Sequence, residues 1–325
     1  MKNTVSNQQS YNIQILRGAA IISVVLIHNV PSAATAQILI RPFINYGVAV
    51  FLFLSGFLSS ADEWNPKKRI KKVFIPYLIW TLIYVIIHNI DQLNEIPLEY
   101  IKNVLNGQAA APLYYAFVYC GFTLLIPLID KLAKSKYKYI GFLISPLEII
   151  IFRLFPLMLG IEIHPLIKNV ISISCFGWFT YFYLGYLIGN DLIEIKVSRV
   201  KLNLLLAISL LLQIIEGYLY YLMGEANCGT QLKLSAILSG SIFCLLSYLF
   251  INDNNHKIHF LKILGDYSSG IYFSHIAIMM VLLHIPGYNN IFLFPINAIV
   301  TIMIDMIMIF IGNKILGSYA KLLGI

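Results

Sequence analysis

Arg17 and His28 stand eleven residues apart in the stretch Leu16-Arg17-Gly18-Ala19-Ala20-Ile21-Ile22-Ser23-Val24-Val25-Leu26-Ile27-His28-Asn29. Eleven helical residues advance the axis by about 16 Å and turn it about three times, so both side chains emerge on nearly the same face. A charged and a titratable group within one spanning helix are costly, and function is the default reading of such a pair. Histidine suits a general base, and arginine suits a phosphate-bearing ligand. The structural alternatives are an arginine that snorkels to the headgroups and a histidine packed in the bundle. The two residues alone leave both readings open.

Other groups could take part. The second apolar stretch contains Leu54-Ser55-Gly56-Phe57, where small residues permit close helix packing, and the packing reading of Ser55 is preferred to a catalytic one. A basic run, Lys67-Lys68-Arg69-Ile70-Lys71-Lys72, precedes Val73-Phe74-Ile75-Pro76-Tyr77 and reads as an inner loop. Tyr272 and His275, three apart, share a helix face and could position an acceptor, donate to an oxyanion or simply pack. Asp266 reads as the N-terminal cap of their helix. Arg153 needs a partner inside the membrane. Glu148, five residues away, is on the wrong face of an α-helix, which points to Glu216 or Asp305; contact with an anionic acceptor is the functional alternative. His88, His164 and His284 read as interfacial. His256 and His259 are a pair without a third ligand, so no metal is expected.

The elements that position these groups follow from composition. Of 325 residues, 59% are hydrophobic and 12% charged, about half the usual share of charge in soluble domains. Such a chain cannot cover a water-facing globule and belongs in a lipid bilayer. Its net charge of +8 is gathered in short segments between apolar runs, as in cytoplasmic loops, and gives no support to nucleic-acid binding. The four cysteines, Cys120, Cys175, Cys228 and Cys244, form no Cys-x-x-Cys pair, which argues against thiolate metal or redox chemistry.

Ten apolar stretches have spanning length, near 14–32, 43–61, 73–90, 113–130, 139–158, 170–189, 202–222, 232–251, 264–285 and 291–312. The fifth is interrupted by Pro146, Glu148, Arg153 and Pro156. With the N-terminus inside, 18 of the 23 Lys and Arg fall on the inner side. Arg41, Lys102, Lys168 and Lys233 fall outside, so both termini are expected in the cytoplasm. Ala34-Thr35-Ala36 resembles a cleavage site, but the region before the first apolar run is too long for a signal peptide, and that run is read as retained. The expectation is an all-α, polytopic bundle of about ten spans in the cell membrane, residues 1–325 forming a single transmembrane domain.

With these motifs in order, the chain resembles the acyltransferase 3 family of integral membrane proteins. The resemblance rests on Arg17, ten residues and His28 in the first span; Ser55-Gly56-Phe57 in the second; the basic pair before Ile75-Pro76-Tyr77; and Leu264-Gly265 with the later Tyr272 and His275 in the ninth. Many members carry Arg-x-Arg where this chain has Arg69-Ile70-Lys71. Lysine keeps the charge but loses the bidentate fork.

The resemblance implies O-acyl transfer, usually of acetyl, from cytoplasmic acetyl-CoA or another acyl-CoA. The acceptor would be a hydroxyl of a cell-surface glycan or its lipid-linked precursor. His28 would be the general base. Arg17, Arg69 and Lys71 would hold the coenzyme's phosphates, with Ser55 beside its channel, and Tyr272, His275 and Arg153 would meet the acceptor. Two rivals remain at this point. One is a glycan or small-solute transporter or flippase, disfavoured by the absence of an inverted repeat or paired broken helices; the other is a scaffold or sensor without catalysis.

Overall fold

A computed structural model describes residues 5–253, 257–288 and 293–325; Lys2 and His256 lie outside them. The described residues form α-helices joined by short 3-10 turns. In chain order these are α1 (Asn7–Asn29), α2 (Ala34–Leu39), α3 (Gly47–Phe57), α4 (Pro66–His88) and α5 (Ile96–Asn106). Then come α6 (Tyr114–Ala133), α7 (Ile144–Ile149), α8 (Phe155–Leu159), α9 (Pro165–Ile173) and α10 (Phe179–Gly189). The last are α11 (Arg199–Leu222), α12 (Leu234–Ile251), α13 (His259–Asp266), α14 (Ser268–Leu282) and α15 (Ile296–Leu316).

Eight helical stretches among the described residues are long and apolar enough to cross a bilayer. They correspond to eight of the ten expected spans, and the chain is an all-α, multi-pass membrane protein. The sixth and ninth expected spans are each divided. The sixth becomes α9 and α10; the ninth becomes α13 and the 15-residue α14. Hydropathy runs across both breaks, so neither was visible as a change of composition.

The chain forms two compact units. The first takes the chain up to Trp64 together with Leu125–Ile163 and Phe176–Asp266. Its helices cross where glycine removes the obstacle of a side chain. A Cβ on Gly18 would lie 2.0 Å from the Leu261 carbonyl oxygen, and one on Gly265 only 1.9 Å from that of Gln14. These two glycines seat α1 directly on α13. Ser23, buried on α1, accepts a hydrogen bond from Gly47 N at 3.0 Å and donates to the Ile44 carbonyl, tying α1 to the start of α3. The polar first turns of α1 are used as well. Asn12 is fully buried, its amide nitrogen 2.7–3.1 Å from the carbonyls of Phe250, Ile251 and Asp253, at the end of α12 and just past it. At the opposite end of α12, Glu216 accepts from the backbone N–H groups of Leu234 and Ser235, where a carboxylate also meets the positive end of the helix dipole.

The second unit takes Asn65–Leu124, His164–Cys175 and Tyr267–Ile325. Tyrosine and tryptophan hydrogen bonds to backbone bind it together, as buried aromatic rings with polar tips require. Tyr84 donates to the Phe273 carbonyl at 2.7 Å and accepts from Ala277 N at 3.2 Å, joining α4 to α14. Tyr77 donates toward the carbonyls of Asn103 and Val104 on α5, and Trp80 to that of Leu323.

Candidate active site

An unbroken α-helix carries both Arg17 and His28, so the expected spacing holds: they are separated by about 16 Å along the axis and about 20° around it. The helix begins seven residues before the expected span. Ser6 and Gln9 form a reciprocal capping box at its start, which satisfies two orphan groups. Arg17 is half-buried, with Nη1 3.4 Å from Gln14 Oε1. His28 is half-buried in the last turn. Because Gly18 is locked onto Leu261, the helix cannot rotate to send Arg17 elsewhere without breaking the α13 contact.

Ser55 lies on α3 in the same unit. Its hydroxyl is buried with no hydrogen-bond partner among the described residues. The neighbouring Gly56 serves packing, since a Cβ there would fall 2.0 Å from the Phe182 carbonyl oxygen of α10. The Ser-Gly-Phe motif is therefore the crossing point of α3 and α10.

In the second unit the basic run is not a loop. Asn65 caps α4 by accepting from Lys68 N at 3.0 Å, and Pro66 opens the helix. Lys67, Lys68, Arg69, Lys71 and Lys72 thus occupy its first two turns, where cations oppose the helix dipole. Helical geometry also divides Arg69 from Lys71, since two residues turn the helix about 200°. Arg69 is half-buried, its guanidinium 6.0 Å from the centre of the Tyr119 ring, while Lys71 is exposed.

Tyr272 and His275 are both buried on α14, their rings 6.2 Å apart. The Tyr272 hydroxyl donates to the Pro112 carbonyl. His275 Nδ1 lies 2.8 Å from the Ile271 carbonyl, which makes Nδ1 the protonated nitrogen. Asp266 does not cap this helix. It ends α13, where its carboxylate pairs with Lys262 one turn earlier, and Tyr267 occupies the cap position of α14 without a side-chain bond.

The expectation for the partner of Arg153 is also corrected. Arg153 pairs with Glu148, Nη2 to Oε1 3.6 Å. Asp305 instead accepts from Ser274, and Glu216 caps α12. The reason is a π-helical turn at Ile150–Leu154, between α7 and α8. Phe155 N bonds to the Ile150 carbonyl, and in that i to i+5 register, residues five apart share a face. Glu148 is nearly buried, so replacing it with Gln leaves the guanidinium without its counter-charge. Glu148→Gln is expected to lower thermal stability in detergent, and adding Arg153→Met should restore part of the loss. The double-mutant cycle should give a coupling of about 1 kcal/mol; strict additivity would show that the pair does not interact.

Lys233, counted among the outer cations, is fully buried and donates to the carbonyls of Cys228 at 3.1 Å and Gln213 at 3.3 Å. It fastens the segment before α12 to α11. All four cysteines are free, and no three of His, Cys, Asp and Glu gather in a metal-binding group among the described residues.

No curated protein and no solved structure matches the chain. Residues 10–311 match the acyltransferase domain of acyltransferase 3 type, a match that runs through both compact units. The protein therefore belongs to the acyltransferase 3 family and is a multi-pass membrane enzyme that transfers acyl groups.

Proposed function

We propose that the enzyme moves an acetyl or similar acyl group from cytoplasmic acyl-CoA to a hydroxyl of an extracytoplasmic glycan or its lipid-linked precursor. In this reading residues 1–325 act as one domain with both termini in the cytoplasm. The observation that carries it is α1: one continuous helix with a cation in its middle and a histidine in its last turn on nearly the same face.

In this scheme Arg17 holds a phosphate of the donor, and His28 meets the thioester about 16 Å further along the helix. The acceptor oxygen attacks the thioester carbonyl as His28 takes its proton. The tetrahedral intermediate then expels the coenzyme sulfur, which recovers that proton from the imidazolium as the C–S bond breaks. Ser55, whose hydroxyl has no partner among the described residues, lines the donor path. Arg69 is assigned to a donor phosphate too, with Lys71 adding charge. The five cations on the first two turns of α4 support this, because an anion at a helix N-terminus offsets both their mutual repulsion and their conflict with the dipole.

Kinetics on the purified protein test the donor assignment. Arg17→Ala is expected to raise the KM for acetyl-CoA roughly tenfold or more, the worth of a charge-assisted hydrogen bond, with a smaller change in kcat. Arg17→Lys should fall between, since it keeps charge without the fork. An unchanged KM in Arg17→Ala would remove Arg17 from the donor site.

A further inference from the structure

The second unit contains a cavity of about 580 Å³ walled by the end of α4, by α5 and the segment after it, and by α14. Its polar wall consists of His88, Asn89, Glu99, Asn103 and Gln108. The alanines at 109–111 and Ile276 supply apolar surface. A volume of this order suits a small ligand, roughly one or two sugar rings.

The wall has a definite chemical preference. No lysine or arginine lines it, so a phosphate group would find no cation there. Each amide nitrogen gives one of its two N–H groups to the protein. Asn89 donates to the Val85 carbonyl at 2.9 Å, Asn103 to that of Glu99 at 2.9 Å, and Gln108 to Asn169 Oδ1 at 2.7 Å. Glu99 Oε1 accepts from Lys102 at 2.6 Å. What is left over is a mixed set: the second N–H of each amide and the His88 ring, beside the three amide oxygens and Glu99 Oε2, which receive no hydrogen bond from the described residues. A wall that both donates and accepts, holds a carboxylate and has no cation in its lining calls for an uncharged ligand whose groups also do both, and hydroxyl groups answer that description.

Its surroundings indicate how the ligand arrives. On α5, Leu98, Ile101 and Leu105 form one apolar stripe, 58–70% exposed. Glu99 and Asn103 lie about 150° away around the helix. No residue of α5 is buried in the protein. An amphipathic helix of this kind lies in the membrane interface with its apolar stripe among the acyl chains. The cavity on its polar side is then at headgroup depth, and the count of basic residues puts the end of α4 on the outer side.

We propose that this cavity is the acceptor site and takes the uncharged, hydroxyl-rich sugar headgroup of a membrane-anchored glycan. The assignment rests on the proposed acyl transfer to an external hydroxyl, and binding can be measured apart from transfer. The full-length protein in phosphatidylcholine vesicles would be photolabelled with a diazirine-bearing alkyl glucoside. Parallel samples would receive a diazirine-bearing alkyl phosphate of the same tail, or the glucoside in the presence of a soluble, untailed oligosaccharide.

Label from the glucoside is expected on peptides spanning 88–111, with little from the phosphate. Asn103→Ala/Gln108→Ala should reduce it about tenfold, several-fold for each hydrogen bond lost. The fold tolerates both changes, because neither side chain is buried. Weak competition by the soluble sugar supports a membrane-anchored ligand; complete competition would overturn that part in favour of a free glycan. Equal labelling by glucoside and phosphate, or labelling unaffected by the double variant, would overturn the site. In transfer assays the double variant should raise the KM for acceptor about tenfold and leave the KM for acetyl-CoA in place. A wild-type protein that takes the glucoside label but transfers no acetyl would defeat the proposed function and leave the binding site standing.

Discussion

Replacing His28 by alanine is expected to lower kcat for acyl transfer by roughly 10²–10⁴-fold, the usual contribution of a positioned general base, and to leave the KM for acetyl-CoA nearly unchanged. The split between the two constants separates catalysis from packing. A histidine that merely filled space would, on removal, loosen α1 and disturb donor binding and stability together. Alanine is the best helix former, and His28 is only half-buried in a terminal turn, so the helix should persist. Its other end is secured independently by the capping box at Ser6, by Asn12 against the end of α12, and by Gly18 against Leu261. Initial rates with radiolabelled acetyl-CoA and a glycan acceptor provide the measurement. A variant that keeps more than about a tenth of the wild-type rate would take the proton-transfer role away from His28.

The parts of this molecule that were legible in the sequence are those where one helical period and one apolar run sufficed. Arg17 and His28 are the clearest example, since the helix between them is regular and the spacing needs nothing else. The start of α4 was legible in principle. Asn65-Pro66 is a cap followed by a first-turn proline, and weighing it would have put the basic run on a helix and separated Arg69 from Lys71. The Glu148–Arg153 pair was not legible, because periodicity of 3.6 assigns five-apart residues to different faces and a π-turn announces itself only through Phe155 N reaching Ile150. The division of the ninth stretch at Tyr267 was hidden for a different reason. Gly265 is fixed by its approach to Gln14, about 250 residues earlier in the chain, and no local pattern reports such a contact. Asn89, Asn103 and Gln108 were passed over because each is ordinary by itself; only the fold of α4, α5 and α14 gathers them around one space.

Alanine at Gly56 or Gly185 is expected to be the most damaging small substitution in the first unit, with a loss of roughly 3 kcal/mol or more of stability, at or beyond the upper end of ordinary overpacking. The added Cβ would stand 2.0 Å from the Phe182 carbonyl oxygen in the first case and 2.1 Å from that of Phe53 in the second. Gly189 stands in the same relation to Phe57, at 2.1 Å. The obstacles are backbone atoms in the middle of helices, so no rotamer change relieves the clash and α3 and α10 must move apart. Separation would forfeit the close glycine-to-carbonyl contacts along the crossing and the packing of Phe53, which is fully buried. In a membrane, where lipid replaces water as the competitor, such packing is a main source of helix association. Gly56→Ala and Gly185→Ala together should cost less than their sum, because the first to separate the helices relieves the second. Ser55→Ala supplies the contrast. Its hydroxyl is buried with no partner among the described residues, so removing it should cost no stability and raise it by up to about 1 kcal/mol. Thermal unfolding of the purified variants in detergent, followed by acetyl-transfer rates on those that remain folded, distinguishes the two halves of the motif. Stable Gly56→Ala protein would refute the crossing as drawn, whereas a stable but inactive Ser55→Ala enzyme would move that hydroxyl from the wall of the donor path to the reacting atoms.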